Sequence, residues 1–174
     1  MKTVGLRTLK NRLSEYVRAA AAGQAGARTY FRKAYGGFGS GSGRSLVIYL
    51  DSSVLLASVF REPRSPPMRL WDEDLTPSRL LGYEVWVHLN AYSLAVSHGN
   101  RAAARLDRVN FVDLGQGALA RALEPFPVSL RTLDALHLAT MDFLRRSEES
   151  VELASYDNRL LASAQALGFP LAAL

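Results

Sequence analysis

Apolar and polar positions divide the chain into alternating strand-like and helix-like blocks. Residues 46–50 form a short apolar run containing Val47, Ile48 and Tyr49, types that favour a buried strand. The run ends on Asp51, after which Val54, Leu55, Leu56, Val59 and Phe60 recur at helical spacing. A short helix is predicted over 64–71, beside prolines, and the acidic run 72–74 is read as a solvated loop. Residues 75–76 carry a weak strand signal closed by Pro77. Ser78 is placed to cap a long helix over 79–97. An alanine-rich helix over 100–107, a strand over 109–114 and a helix over 116–123 follow. A strong amphipathic helix is predicted over 130–146 and a strand over 151–156. Asp157 then opens a last helix that Gly168 ends, before a short strand over 170–173. Strands alternating with helices predict an α/β fold, a parallel doubly wound sheet with right-handed crossovers.

Ahead of this body, Leu6, Leu9, Leu13, Tyr16, Val17 and Ala20 fall on one helical face, with Arg and Lys on the other, and Gly23 is a natural stop. The reading is a short N-terminal helical segment over 1–23. Residues 24–44 differ in character. Aromatics are interleaved with Arg28, Arg32 and Lys33, and a Gly/Ser stretch runs over 36–43. This basic aromatic arm is read as a tether, or as an anchor that delivers an arginine to an acidic pocket, and less readily as a nucleic-acid patch. The domain organisation expected is therefore 1–23, 24–44 and a folded body over 45–174.

Charge sharpens that division. Residues 1–44 hold nine Lys/Arg and one acid, a balance of +8, and residues 45–174 hold twelve Lys/Arg and fifteen acids, a balance of −3. Such asymmetry suggests an arm that binds nucleic acid or the acidic body itself. Cysteine is absent, which removes disulfides, thiolate metal sites and cysteine nucleophiles. No apolar run approaches the ~20 residues needed to span a bilayer, and the N-terminus lacks a signal peptide's apolar core. A cytoplasmic protein that does not bind membrane is expected.

Four acids carry the candidate chemistry. Asp51 and Asp157 each close a predicted strand and open a helix, the junction where open α/β sheets bind ligands. Capping alone accounts for either one as well as chemistry does. Glu84 and Asp134 each interrupt an apolar helix face, where an unpaired carboxylate costs several kcal/mol. Leu80, Leu81, Val87, His88 and Ala91 lie within about 60° of Glu84. Leu130, His137, Leu138 and Met141 share the face of Asp134, whereas Asp142 reads as a surface residue. Four converging carboxylates repel one another unless cations neutralise them. All-oxygen donors select hard ions, so Mg²⁺ or Mn²⁺ is implied. Such ions serve in-line attack of water on a phosphodiester. Phosphate-binding loops, dinucleotide fingerprints and serine elbows are absent. His88, His98 and His137 lack zinc spacing and read as packing residues, with His137 a possible partner behind the acids. Trp71 and Trp86 read as core or partial surface.

The stretches LDSSVLLA, RLLGYEVW, RTLDALHLA and ASYDNRLLASAQALGF resemble the PIN-domain ribonucleases, specifically VapC-type toxins, over residues ~46–172. The resemblance implies a PIN-like α/β/α sandwich, a homodimer, a cognate antitoxin, and metal-dependent endonucleolytic cleavage of tRNA or rRNA that leaves a 5′-phosphate and a 3′-hydroxyl. It carries the catalytic and metal-binding site onto Asp51, Glu84, Asp134 and Asp157, with Ser53 and Ser155 as small hydroxyls beside it. The opening VGLRTLKNRLSEYVR resembles the start of Phd/YefM-type antitoxins, which implies a toxin restrained in cis. Two alternatives stand beside this reading: an autoinhibited or inactive fusion that acts as a binding module, and a DNA-directed nuclease.

Overall fold

In the computed structural model, residues 46–147 and 150–174 are described; the N-terminal helical segment and the basic arm expected from the sequence lie outside them. The strand predicted from the apolar run is β1, Leu46–Leu50, and it pairs in parallel with β2, Ser150–Ala154. Alternation along β1 sends Ile48 and Leu50 into one core and Val47 and Tyr49 to the opposite face, so both faces are buried. Outside this pair, single parallel bridges extend the sheet: Ile48 to Leu75, Ser78 to Val112, and Leu153 to Leu171. The lateral order is therefore the Leu171 segment, β2, β1, the Leu75 segment and the Val112 segment, with β1 central. The weak strand signal at 75–76 and the strands predicted over 109–114 and 170–173 thus mark sheet neighbours, but each is held by a single bridge and none forms a ladder.

Six α-helices accompany the sheet among the described residues: α1 Ser52–Phe60, α2 Leu80–Ala91, α3 Ala95–Leu106, α4 Gln116–Ala122, α5 Thr132–Arg146 and α6 Asn158–Ala166. Helices α1, α2 and α3 pack together, and α4 packs on α5. The result is the expected α/β fold. No helix among the described residues is long and apolar enough to cross a membrane.

Four local expectations need correction. The helix predicted over 64–71 is a single 3₁₀ segment, Met68–Asp72, because Pro66 and Pro67 cannot donate to a helical ladder. The acidic run is not wholly solvated, since the Asp74 carboxylate accepts from Thr76 Oγ1 (3.1 Å) and Asn110 Nδ2 (2.9 Å) and ties the two outer segments together. The helix predicted over 79–97 breaks after Ala91. Ser93 adopts φ 56°, Leu94 N–H reaches back to the Leu89 carbonyl, and α3 returns against α2. Gly99 permits that return: a Cβ there would stand 3.3 Å from the Trp86 ring. Ser78 caps nothing. The helix begins after Arg79 without a side-chain cap, and the Ser78 hydroxyl is buried without a hydrogen bond.

Candidate active site

The carboxyl end of β1 delivers Asp51. Its N–H donates to the Ala154 carbonyl at 2.9 Å, so the pairing with β2 extends through the acid itself. The side chain is buried and caps α1. Three donors converge on Oδ2: Ser53 N–H at 3.2 Å, Ser53 Oγ at 2.5 Å and Ser155 Oγ at 2.9 Å. The serines are themselves fixed, Ser53 Oγ by Tyr156 N–H and Ser155 Oγ by Asp157 N–H. No described residue donates to Oδ1, so one oxygen is anchored and the other is left to receive a ligand.

Glu84 lies at the border of the buried face of α2, not in the middle of an apolar stripe. The buried positions are Leu81, Val85 and Leu89, whereas Val87 and Ala91, expected to flank the acid in the core, are exposed. From that border Glu84 Oε2 meets His137 Nε2 of α5 at 3.1 Å, and His137 Nδ1 meets the Tyr49 hydroxyl of β1 at 2.9 Å. Tyr49 and His137 are both fully or nearly fully buried. Burial alone disfavours a charged imidazole here. The Tyr49 phenol, the Glu84 carboxylate hydrogen-bonded to Nε2 and Asp51 outweigh it and raise the His137 pKa from 6.5 to about 10. A cationic His137 donates through both nitrogens, to Tyr49 and to Glu84.

Ligating atoms of Asp51, Glu84 and His137 all lie within 4.8 Å of one another. Two donors on one Mg²⁺ sit at most about 4.2 Å apart, given bond lengths near 2.1 Å. A contraction of a few tenths of an ångström would let the Asp51 and Glu84 carboxylates close on one ion, with His137, both of its nitrogens already engaged, holding Glu84 from outside the ligand set. The two other predicted acids stand outside the trio. Asp134 is buried one helical turn before His137, and its Oδ2 contacts Arg159 Nη2 at 2.8 Å without the alignment of a hydrogen bond. Asp157 is exposed and caps α6, accepting from Arg159 N–H (2.8 Å) and Leu160 N–H (3.2 Å). His137 is the residue that sequence reasoning undervalued. The available signal was its place one turn after Asp134 on a buried face; its partners are 53 and 88 positions away.

Asp142 also differs from expectation. It is buried on α5 and holds three arginines: Arg121 (3.1 Å), Arg145 (2.5 Å) and Arg146 (3.0 Å). This node joins α4 to α5 away from the acidic trio.

The sequence profile described as PIN domain matches residues 48–166. Ribonuclease VapC46 of Mycobacterium tuberculosis (strain ATCC 25618 / H37Rv) is 38% identical over 130 residues, covering 72% of this chain and 96% of the relative. Ribonuclease VapC47 of Mycobacterium tuberculosis (strain CDC 1551 / Oshkosh) is 30% identical over 130 residues, 71% of this chain and 93% of the relative. Ribonuclease VapC35 from that strain is 32% identical over 133 residues, 73% of this chain and 96% of the relative. No solved structure matches at a significant level. A parallel sheet that ends on an anchored aspartate, matched over its length by this profile and these relatives, places the chain in the PIN domain family and, within it, among the VapC-type proteins.

Proposed function

We propose that residues 45–174 form a divalent-metal-dependent endoribonuclease, the toxin of a toxin–antitoxin pair. The observation that carries this is the trio of Asp51, Glu84 and His137 at the carboxyl end of the central strand. Asp51 presents Oδ1 while Ser53 and Ser155 hold Oδ2. Glu84 supplies the second carboxylate, and His137 fixes its direction through Oε2. Asp134 joins as the third acid when its contact with Arg159 opens. Asp157 acts at the rim, holding the first turn of α6 and with it Arg159. Bound Mg²⁺ or Mn²⁺ would supply Lewis acidity, making water a better nucleophile and stabilising charge on the leaving 3′ oxygen. The chain's own residues set the direction of attack by fixing both carboxylates.

The relatives carry the word ribonuclease in their names, which favours RNA over duplex DNA as substrate. tRNA or rRNA is the class proposed, with a cognate antitoxin as partner and a homodimer as the assembly. Residues 1–23 and the arm over 24–44 are proposed to restrain the body in cis, on the strength of their +8 charge against the body's −3.

The test is cleavage of a folded tRNA pool by the full chain and by a form starting at Ser45, with Mg²⁺, with Mn²⁺ and with EDTA. Metal-dependent cutting by the shorter form establishes the nuclease, and weaker cutting by the full chain establishes cis restraint. Equal cutting by both removes the restraint. Cutting of duplex DNA but not RNA, or cutting that survives EDTA, overturns the proposal.

A further inference from the structure

A second charged site lies at the opposite end of α1 from Asp51, roughly 13 Å along a nine-residue helix. It is a pocket of about 470 Å³, and four of its lining residues are Arg61, Arg101, Arg105 and Arg108. That volume is within the usual range for small-ligand pockets. Its charge is uncompensated. Among the described residues no carboxylate pairs with Arg61, Arg101 or Arg105, and Arg108 reaches only Asp72, at 4.0 Å. The other arginine clusters of the body are arranged differently: Arg121, Arg145 and Arg146 share Asp142, and Arg159 faces Asp134.

Two of the four guanidinium groups, those of Arg101 and Arg105, are held in place. Arg101 Nη1 donates to the Val59 carbonyl at 2.5 Å. Arg105 lies over the buried Trp71 ring, 4.2 Å from its centroid. Arg61 is the C-cap of α1 in the left-handed region, φ 55° and ψ 46°, a position that glycine or asparagine fills at lower cost. An arginine kept there puts a cation on the pocket wall at the expense of backbone strain. Burial and the neighbouring Arg108 both work against the charge on Arg105 and lower its pKa. An anion in the pocket would relieve that. All twelve basic residues after residue 45 are arginine, none lysine, and arginine's planar fork matches phosphate oxygens two at a time.

We propose that this pocket is a phosphate-binding site, separate from the acidic centre, that takes a polyphosphate-class anion. The phosphate comes either from the backbone of an RNA strand or from a free polyphosphate. The first source rests on the nuclease reading and the second does not.

The full chain is titrated in EDTA with inorganic tripolyphosphate and, separately, with a single-stranded RNA oligonucleotide, following tryptophan emission and calorimetric heat. Arg61→Asn with Arg108→Gln is the variant. Asn tolerates the left-handed position and both arginines are exposed, so the fold is kept, and matched melting confirms it. The basic segment ahead of residue 45 is common to both proteins, so the difference between their titrations reports the pocket. The expected result is a change in tryptophan emission on tripolyphosphate binding, and an affinity about tenfold weaker in the variant. If RNA affinity falls in parallel and its salt slope drops by about 1.4, the phosphate source is the RNA backbone. If RNA affinity is unchanged, the source is free polyphosphate. Equal tripolyphosphate affinity in both proteins, or no change in tryptophan emission, overturns the site. Because metal is absent throughout, binding is read apart from cleavage: a chain that binds the anion here yet cleaves no RNA once Mg²⁺ or Mn²⁺ is supplied would sustain the pocket while the nuclease reading fails.

Discussion

Replacing Tyr49 by Phe tests whether the buried relay holds the acidic trio. Tyr49 has no exposed surface, and its hydroxyl is 2.9 Å from His137 Nδ1. Phe keeps the ring and opens almost no cavity, so the loss is confined to one hydrogen bond and an orphaned imidazole nitrogen that water cannot reach. Leaving such a group unsatisfied costs about 1–3 kcal/mol. Taking ~2 kcal/mol, Tm should fall by about 4–8 °C for a chain of this size. A second effect follows at Glu84, because His137 directs it from the other side of the ring, at 3.1 Å. Losing an outer partner of this kind weakens metal affinity about 10–100-fold. Scanning calorimetry in EDTA reads the first effect, and titration calorimetry with Mn²⁺ reads the second. A Phe variant that melts with the unaltered chain and binds Mn²⁺ equally well would refute the relay. A lower Tm with unchanged Mn²⁺ affinity would reduce Tyr49 to a core residue.

Asp51→Asn should abolish metal-dependent cleavage while the far-ultraviolet spectrum is kept, because Asn still accepts from Ser53 and Ser155 through its carbonyl; wild-type activity in that variant would end the assignment. Asp142→Asn should destabilise by about 2 kcal/mol at neutral pH, since three arginines lose their shared charge. Burial pulls the Asp142 carboxyl upward, but hydrogen bonds from Arg145 and Arg121 and the charges of Arg145 and Arg146 outweigh it and hold the pKa below 3.8. Its contribution is therefore full above that value and disappears as pH falls through the folded pKa, so urea midpoints of the two proteins should converge only in strong acid. Gly168→Ala, at φ +74° with open space around it, should cost about 1 kcal/mol through backbone strain alone, read as a Tm lower by about 2–4 °C.

Much of this arrangement was legible in the chain where the determinants are local. Leu46–Leu50 is a strand because its residues suit a sheet buried on both faces, and Asp51 caps because two small residues follow it. The acids at 84 and 134 stood out as charges on helix faces read as apolar, and those at 51 and 157 as acids that close a strand and open a helix. What was hidden depended on partners far along the chain. The Ser93 reversal has no Pro or Gly at the break to announce it; it is set by α3 returning onto α2. The face of Glu84 was misjudged because residues within 60° of it included Val87 and Ala91, which the packing leaves in solvent. His137 resembled a packed core histidine until Glu84 and Tyr49 met it, and Asp142 resembled a surface acid until Arg121 reached it from α4.

The pairing of β1 with β2 also fixes when in its synthesis the protein can become dangerous. The hydrogen bond from Ser155 to Asp51 closes a separation of 104 positions, and closing so long a loop costs about 4 kcal/mol beyond the constant term. Until Ser150–Ala154 has been made, β1 lacks its ladder partner and Asp51 lacks the serine that orients it. A ribosome stalled between residues 138 and 149 carries a chain with Asp51, Glu84 and His137 already in its sequence but without the strand and the serine that fix Asp51, so its truncated product should not cleave RNA.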